Sequence, residues 1–512
     1  MNRYHRLSRD IRAAKTTHRV PSPESPRQIV HEETLRIEKA NCSVNATNDS
    51  MSNGFASFII PRVPLPLKLG HVLENDELAE EFRLLEHSAV SVGYNTPNSP
   101  TVDLFSTIRF PFQLNERDEY LLFHYRAVFN YTNIPVNPKV EWLRFAITND
   151  ALLHVTLIIS ALHIALIRGK TFSVDAFRHH TKVTKVINNR LNNQALRDTD
   201  STILAISCLA LLEILNASPL AASAHIVALE QLINRRGGLV ALGLDGIVRR
   251  KALWADLSSA IARHTEPRFP YSPNILATTL PSDSVQNTVD PLIANMCAEI
   301  SSLQIDPSGT RGLSAIIHDL ERLSLVIKSA NRADITEMDS LKLSDCFYDV
   351  ERRAYDLFQV DGVHLINTVR SGSNVLLDLP SALYTACCLA GIIYSYVGLR
   401  EIPSRAGIFT PLLADLTHII QNIDTLAACT AYPKLLFWVL NTGGIAAKGR
   451  EERHQYVKFL ADLCEKGMIP NGRRTGELAR GLMHVTPMFL AECLDVWNEV
   501  EELLIMRHLC YS

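Results

Sequence analysis

The sequence predicts an all-α protein, a large multi-helix domain preceded by a mostly disordered N-terminal arm. Glycine and proline together make up 46 of 512 residues, about 9%, against roughly 12% in an average protein. Aromatic residues contribute only 7%, and both shortages disfavour a turn-rich β fold. From about residue 116 apolar residues recur at helical spacing, and no stretch shows the period-2 alternation that several strands need.

The overall composition is that of an ordinary globular chain. Apolar residues amount to 47% and charged residues to 21%, which excludes a disordered or collagen-like protein as a whole. Ten cysteines are too few for a secreted disulfide scaffold. The formal net charge of −3 excludes a uniformly basic chain of the kind that binds DNA non-specifically. Composition therefore predicts a soluble intracellular protein and no particular activity.

We assign residues 1–110 to a disordered arm and linker. Eleven of the 24 prolines fall in the first 138 residues, and residues 1–27 carry seven basic against two acidic side chains. The charge of this segment is +5, so the remaining chain carries −8. Three interpretations of the basic segment stay open: a solvated tail, a nuclear-localisation or nucleic-acid-facing remnant, and a mitochondrial transit peptide. No apolar stretch follows Met1, which excludes a secretory signal.

The run 151–167 carries no formal charge and must be tested as a membrane span. It is at the short end of the roughly 17–25 residues that a span needs, and polar residues such as His154 and His163 interrupt it. We therefore predict a buried helix, with Asn149 or Asp150 as its N-cap and Gly169 closing it.

Helical patterning continues to the C-terminus. Residues 201–215 are apolar nearly all round, with Asp198 or Asp200 as the expected cap. The next helix ends at Gly237, and a loop-rich break is predicted at about 265–310. Further helices are predicted at 312–330, 381–399, 410–423, 432–447 and 487–509.

The search for catalytic and metal-binding motifs is negative. The sequence holds no GxxxxGK[ST], GxSxG, HExxH or CxxC, and no GxGxxG after a strand. The pair His179–His180 would point about 100° apart on a helix, and Cys387–Cys388 lie in an apolar helix, where burial is the default. His154 and His163 are expected to be satisfied core histidines. We assign no catalytic residue, no cofactor-binding residue and no metal ligand.

Four segments in order resemble the regulatory domain of fungal zinc-cluster transcription factors. They are EWLRFAITNDALLHVTLIISALHIA (141–165), DSTILAISCLALLEIL (200–215), the stretch 225–270 with its RGG, WAD and PRFP elements, and YPKLLFWVLNTGGIAAKGREERHQYVKFLADL (432–463). The resemblance implies an all-helical regulatory domain over 111–512 and a role in transcription. We interpret Arg236-Gly237-Gly238, Trp254, Asp256 and Arg268-Phe269-Pro270 as residues that stabilise the fold.

The sequence departs from the family in the DNA-binding module, which in the family is an N-terminal cluster of six cysteines that binds two zinc ions. Residues 1–110 contain only Cys42, so the cluster cannot form there. The resemblance therefore implies a nuclear, non-enzymatic transcription regulator that acts through other transcription regulators or self-association. DNA would be contacted only indirectly or through a missing N-terminal module, and no membrane is involved. A small ligand in the helical domain stays open.

Two alternatives remain. The chain could be a truncated form of a complete zinc-cluster transcription factor, which six cysteine codons in an upstream reading frame would reveal. It could also be an uncharacterised helical enzyme, although the sequence offers no nucleophile–base pair.

Overall fold

The computed structural model describes residues 108–132, 142–270, 291–329, 337–370, 377–466 and 487–511. Within these ranges all regular structure is helical: seventeen α-helices, short 3-10 and π turns, and no strand. The prediction of an all-α fold is confirmed. The assigned arm lies outside the described residues up to position 107.

Seven helices form the N-terminal part of the described chain. The first is α1 (Glu116–Thr132), and the others are α2 (Trp142–Ala146), α3 (Asp150–Ile167), α4 (Val174–Leu191), α5 (Asp200–Leu215), α6 (Pro219–Arg235) and α7 (Ile247–Arg263). Two 3-10 turns, Leu239–Ala241 and Leu244–Gly246, connect α6 to α7.

Ten helices form the C-terminal part. They are α8 (Pro291–Ser302), α9 (Pro307–Ser329), α10 (Glu337–Leu357), α11 (Val363–Arg370), α12 (Leu379–Tyr394), α13 (Phe409–Gln421), α14 (Thr425–Ala431), α15 (Pro433–Ala446), α16 (Arg453–Glu465) and α17 (Pro487–Tyr511). Helix α8 lies within the stretch predicted to be loop-rich, where the surrounding proline, serine and aspartate residues obscured a short helix. One π turn joins α10 to α11, and another follows α12.

Three apolar helices organise the core. Helix α3 packs against α1, α2, α4 and α5, and α5 also packs against α6 and α7. In the C-terminal part, α12 is surrounded by α9, α10, α13 and α15. Helix α7 contacts α10 and so joins the two parts. Because these central helices have neighbours on every side, they need an apolar surface nearly all round.

Among the described residues, two helices are apolar and long enough to cross a membrane by length and composition alone, Asp150–Ile167 and Leu379–Leu399. In the folded chain 78% and 100% of these windows are buried. A core helix of a large domain passes the same test, so this finding is weak evidence for a membrane. The prediction of a buried helix at 151–167 is confirmed.

Helix ends follow the local sequence in most places. The Asn149 side chain accepts the Leu152 N–H at the start of α3, and Gly169 takes φ +73° after its end, as predicted. The prediction for α5 was wrong, because Thr199 is its N-cap and Asp200 is its first helical residue. The Thr199 hydroxyl makes no capping bond and donates to the Leu196 carbonyl instead, a turn contact that competes with the cap.

The segment after α12 closes tightly against the end of α5. The Gly407 N–H donates to the Leu215 carbonyl at 2.8 Å, and Ala217 adopts φ +59° beside it. A Cβ on Gly407 would overlap the Ala217 backbone. Glycine is therefore required where these backbones meet.

Candidate functional site

A layer of polar side chains crosses the core where α7 faces α10 and the turn after α12. Helix α7 supplies three of them at i, i+3 and i+7, a spacing that places them on one helix face. Each side chain in the layer is buried, although a core position normally carries an apolar residue. This polar layer consists of Lys251, Trp254, Ser258, Glu351, Tyr396 and Arg400.

An ion pair between Glu351 and Arg400 lies at the centre of the polar layer. The Arg400 Nε donates to Glu351 Oε1 at 2.6 Å, and Nη2 donates to Oε2 at 3.0 Å. The two side chains are 0% and 2% exposed. Burial raises the pKa of the Glu351 carboxyl, and the Arg400 guanidinium opposes that rise. Two parallel bonds of this kind fix the orientation of both groups.

Two cations lie over the Trp254 indole. The Arg400 Cζ is 4.3 Å from the ring centroid, and the Lys251 Nζ is 5.3 Å from it. The same Lys251 nitrogen is 5.4 Å from the centroid of Trp142. The electron-rich ring faces therefore provide part of the solvation that these cations lose on burial.

Lys251 differs from Arg400 because no carboxylate neutralises it. The side chain is 6% exposed, its ammonium lies over two tryptophan rings, and no ion pair or hydrogen bond joins it to a described residue. Burial lowers the pKa of its ammonium to about 8; Cys208 opposes this lowering, and the positive charge of Arg400 adds to it. At neutral pH the group is still mainly protonated, so the polar layer holds two cations and one carboxylate.

A π turn, Ser395–Leu399, presents the remaining groups of the polar layer. Its Tyr396 hydroxyl lies 2.8 Å from the Ser258 hydroxyl of α7. The Arg400 N–H donates to the Ser395 carbonyl at 2.9 Å, which closes the turn. Wider turns of this type recur at functional sites, and here the turn aims Tyr396 and Arg400 at the same face of α7.

The WAD and PRFP elements meet through Asp256, which lies between Trp254 and Ser258 in the sequence of α7. The Asp256 carboxylate accepts the Arg268 N–H at 3.1 Å and the Phe269 N–H at 2.7 Å. Burial raises the pKa of Asp256 to about 6, and the two N–H donors oppose the rise. Phe269 is 4% exposed, in agreement with the fold-stabilising role that the sequence predicts for it. Asp256 therefore anchors the loop that follows α7.

The RGG element turns the chain after α6. Gly237 and Gly238 adopt φ +92° and +93°, which favour glycine. The Arg236 Nη1 donates to the Asp198 carbonyl at 2.7 Å, and its Nη2 lies 3.0 Å from Asp200 Oδ1. These bonds fasten the turn to the start of α5, which agrees with a structural role for Arg236.

The adjacent histidines separate as the sequence predicted. His179 Nε2 lies 3.1 Å from Asp118 Oδ1, and its Nδ1 lies 3.1 Å from His154 Nδ1. His180 instead lies 2.9 Å from Glu213, and His163 is 3.0 Å from a ring nitrogen of His124 on α1. The two core histidines, 154 and 163, therefore have partners, as expected.

No cluster of three or more His, Cys, Asp or Glu side chains that could hold a metal ion occurs in the described ranges. Cys387 and Cys388 are fully buried. Burial raises the pKa of the Cys387 thiol well above its usual range, which suppresses the thiolate that a metal would need. The assignment of no metal ligand stays a prediction for the whole chain.

Sequence reasoning missed the polar layer. The sequence predicts only that Trp254 stabilises the fold. Its contact with two cations depends on Arg400, about 150 residues later in the chain. Lys251 offers a weak signal, because a lysine falls on the apolar face of α7 that also carries Trp254 and Ser258. Glu351 offers none, since it lies among charged residues typical of a solvated helix surface.

A family model described as "Fungal specific transcription factor domain" matches residues 135–482, about two thirds of the chain. The match covers α2 to α16 and all residues of the polar layer. No curated protein and no solved structure matches the sequence.

Proposed function

The chain belongs to the family of fungal-specific transcription factor domains, and from this premise we propose that it is a nuclear transcription regulator that acts through contacts of its helical domain. These contacts would be with other transcription regulators, with a second copy of the chain, or with a small ligand. A role other than catalysis fits the family, and the polar layer pairs no nucleophile with a general base.

The family match is the observation that carries this proposal. The distribution of cysteines supports its second part, that the chain does not read DNA through a zinc cluster. Residues 1–110 contain only Cys42, and a two-zinc cluster needs six thiolates close together. Of the eight cysteines whose side chains the structure describes, seven are buried, singly or as the neighbours Cys387 and Cys388. We propose that DNA is reached indirectly, through a partner or a separate module.

The proposal is tested by selecting bound sequences from a random duplex library with the purified chain at physiological salt. We expect no enriched motif and only weak binding that falls steeply with salt. The same chain fused to an unrelated DNA-binding domain is the positive control, since it must enrich the site of that domain. A motif bound about a thousandfold more tightly than random duplex would contradict the proposal.

Localisation is tested by imaging a C-terminally tagged chain. We expect nuclear signal. Mitochondrial signal would support the transit-peptide interpretation of residues 1–27 instead. Deleting residues 2–27 separates the two, because a transit peptide is required for import and a solvated tail is not.

A further inference from the structure

We propose that Lys251 anchors a binding site for a small monocarboxylate, which lies against the indole rings of Trp142 and Trp254. The inference deepens the proposed function, since it names the ligand that the helical domain would take. Binding itself can be measured without reference to transcription.

Lys251 differs from the other buried cations in its lack of a carboxylate partner. Three lysine or arginine side chains are buried within the described ranges: Lys251, Arg400 and Arg453. Arg400 is paired with Glu351 at 2.6 Å, and Arg453 with Glu499 at 2.7 Å. Lys251 has no carboxylate within the described part of the chain and no hydrogen bond. Because an uncompensated charge in the interior is costly, this position is complete only when an anion supplies the missing partner.

The indole rings of Trp142 and Trp254 beside the Lys251 ammonium are held in place. Trp142 is held by a hydrogen bond from its Nε1 to the Thr156 hydroxyl at 2.9 Å, so its ring is fixed. Trp254 is fixed by the Arg400 guanidinium over its face. Two rigid indole rings beside one cation favour a ligand with a carboxylate at one end and an apolar body.

The charge balance of the polar layer favours a ligand with one negative charge. The polar layer contains two cations, Lys251 and Arg400, and one anion, Glu351. A single negative charge would balance it. A phosphate dianion would leave the layer with an excess negative charge and is therefore disfavoured against a carboxylate.

The location also explains how such a ligand could affect the domain. Lys251 lies on α7 near Cys208 of α5, which acts on it electrostatically, and beside Arg250, which pairs with Asp345 of α10 at 2.7 Å. Helix α7 is one of the elements that join the N-terminal and C-terminal parts of the fold. A ligand bound at Lys251 would therefore stabilise the contact between these parts.

The test uses the purified full chain with benzoate and octanoate as carboxylate probes, benzamide as the neutral match for benzoate, and inorganic phosphate. Thermal unfolding and tryptophan fluorescence are followed up to about 10 mM probe, because a ligand specific to the folded state raises stability with the logarithm of its concentration. The variant is Lys251→Met, and the matched control is Lys185→Met at an exposed position of α4.

We expect at least one carboxylate to raise the melting temperature of the wild type and of K185M and to change their tryptophan fluorescence, while benzamide does neither. Affinity should fall at least about tenfold in K251M, as for loss of a charged hydrogen-bond partner. Equal stabilisation by phosphate, equal stabilisation of K251M, or no carboxylate effect on the wild type would each overturn the proposal.

A second measurement keeps the proposal testable if K251M does not fold. In the wild type, carboxylate affinity should be weaker at about pH 9.5 than at pH 7, because the ammonium loses its proton over this range. Affinity that is unchanged with pH would overturn the proposal. These binding outcomes stand apart from the DNA-selection and imaging results, so failure of one proposal does not imply failure of the other.

Discussion

Lys251→Met removes a buried charge that no carboxylate neutralises, and the structure indicates by how much stability should change. Burial lowers the pKa of Lys251 from 10.5 to about 8, which corresponds to about 3 kcal/mol for keeping the ammonium charged in the folded state. The two cation–π contacts that the variant loses contribute about 0.5–1 kcal/mol each. We therefore expect K251M to be more stable than the wild type by about 1–2 kcal/mol at pH 7.

The sign of the pH dependence follows from the same shift. Between pH 8 and 10.5 the unfolded chain binds a proton that the folded chain has released, so wild-type stability rises with pH through this window. The stabilising effect of K251M should accordingly shrink as pH rises. Its disappearance near the upper end of the window would identify the lysine charge as the cause.

Urea unfolding followed by far-UV circular dichroism at pH 7 and about pH 9.5 measures this difference. Lys185→Met is the control, because it makes the same substitution at an exposed site on α4 and should have little effect at either pH. A K251M variant that is less stable than wild type at pH 7 and unchanged with pH would refute the reasoning. The positive charge of Lys251 would then be neutralised by a contact other than those described.

Three further substitutions test how the fold is fastened. Gly407→Ala should lower the free energy of unfolding in urea by about 2–3 kcal/mol, because its Cβ would overlap the Ala217 backbone. The control Gly444→Ala, whose Cβ has contacts of 3.5 Å, should lower it by no more than about 1 kcal/mol. Equal effects would contradict this account of the turn. Glu351→Gln should cost about 3–5 kcal/mol, since it leaves the Arg400 charge buried and unpaired, and a loss below about 1 kcal/mol would show that water reaches the pair. Asp256→Ala should leave two loop N–H groups without their acceptor, at about 1–3 kcal/mol each. Limited proteolysis should then cleave the loop after α7 earlier than in wild type. Unchanged cleavage would contradict the role of Asp256 in holding this loop.

Local sequence signals predict a helix well where a single feature specifies it, such as an uncharged apolar run or one capping residue. The uncharged run of α3 and the capping Asn149 specify a buried helix with a defined start. The start of α5 was misjudged because three candidate caps, Asp198, Thr199 and Asp200, stand side by side. Asp200 contacts Arg236 of the RGG turn instead, a tertiary contact that sequence neighbours do not reveal.

The polar layer could not be predicted from sequence for a physical reason. Its stability depends on which charges face each other across α7, α10 and the turn after α12. Glu351 and Arg400 are 49 residues apart, and each has polar neighbours in the sequence. Only the packed structure shows that Glu351 and Arg400 neutralise each other while Lys251 has no carboxylate partner among the described residues.

A tethered reporter assay tests the central claim most directly. The full chain is fused to an unrelated DNA-binding domain whose site controls a reporter gene, and transcription is compared with that domain alone at equal nuclear protein levels. We predict that the fusion changes reporter transcription several-fold and that the destabilised Gly407→Ala fusion does so less. A folded wild-type fusion that leaves transcription unchanged would contradict a regulator that acts through contacts of its helical domain.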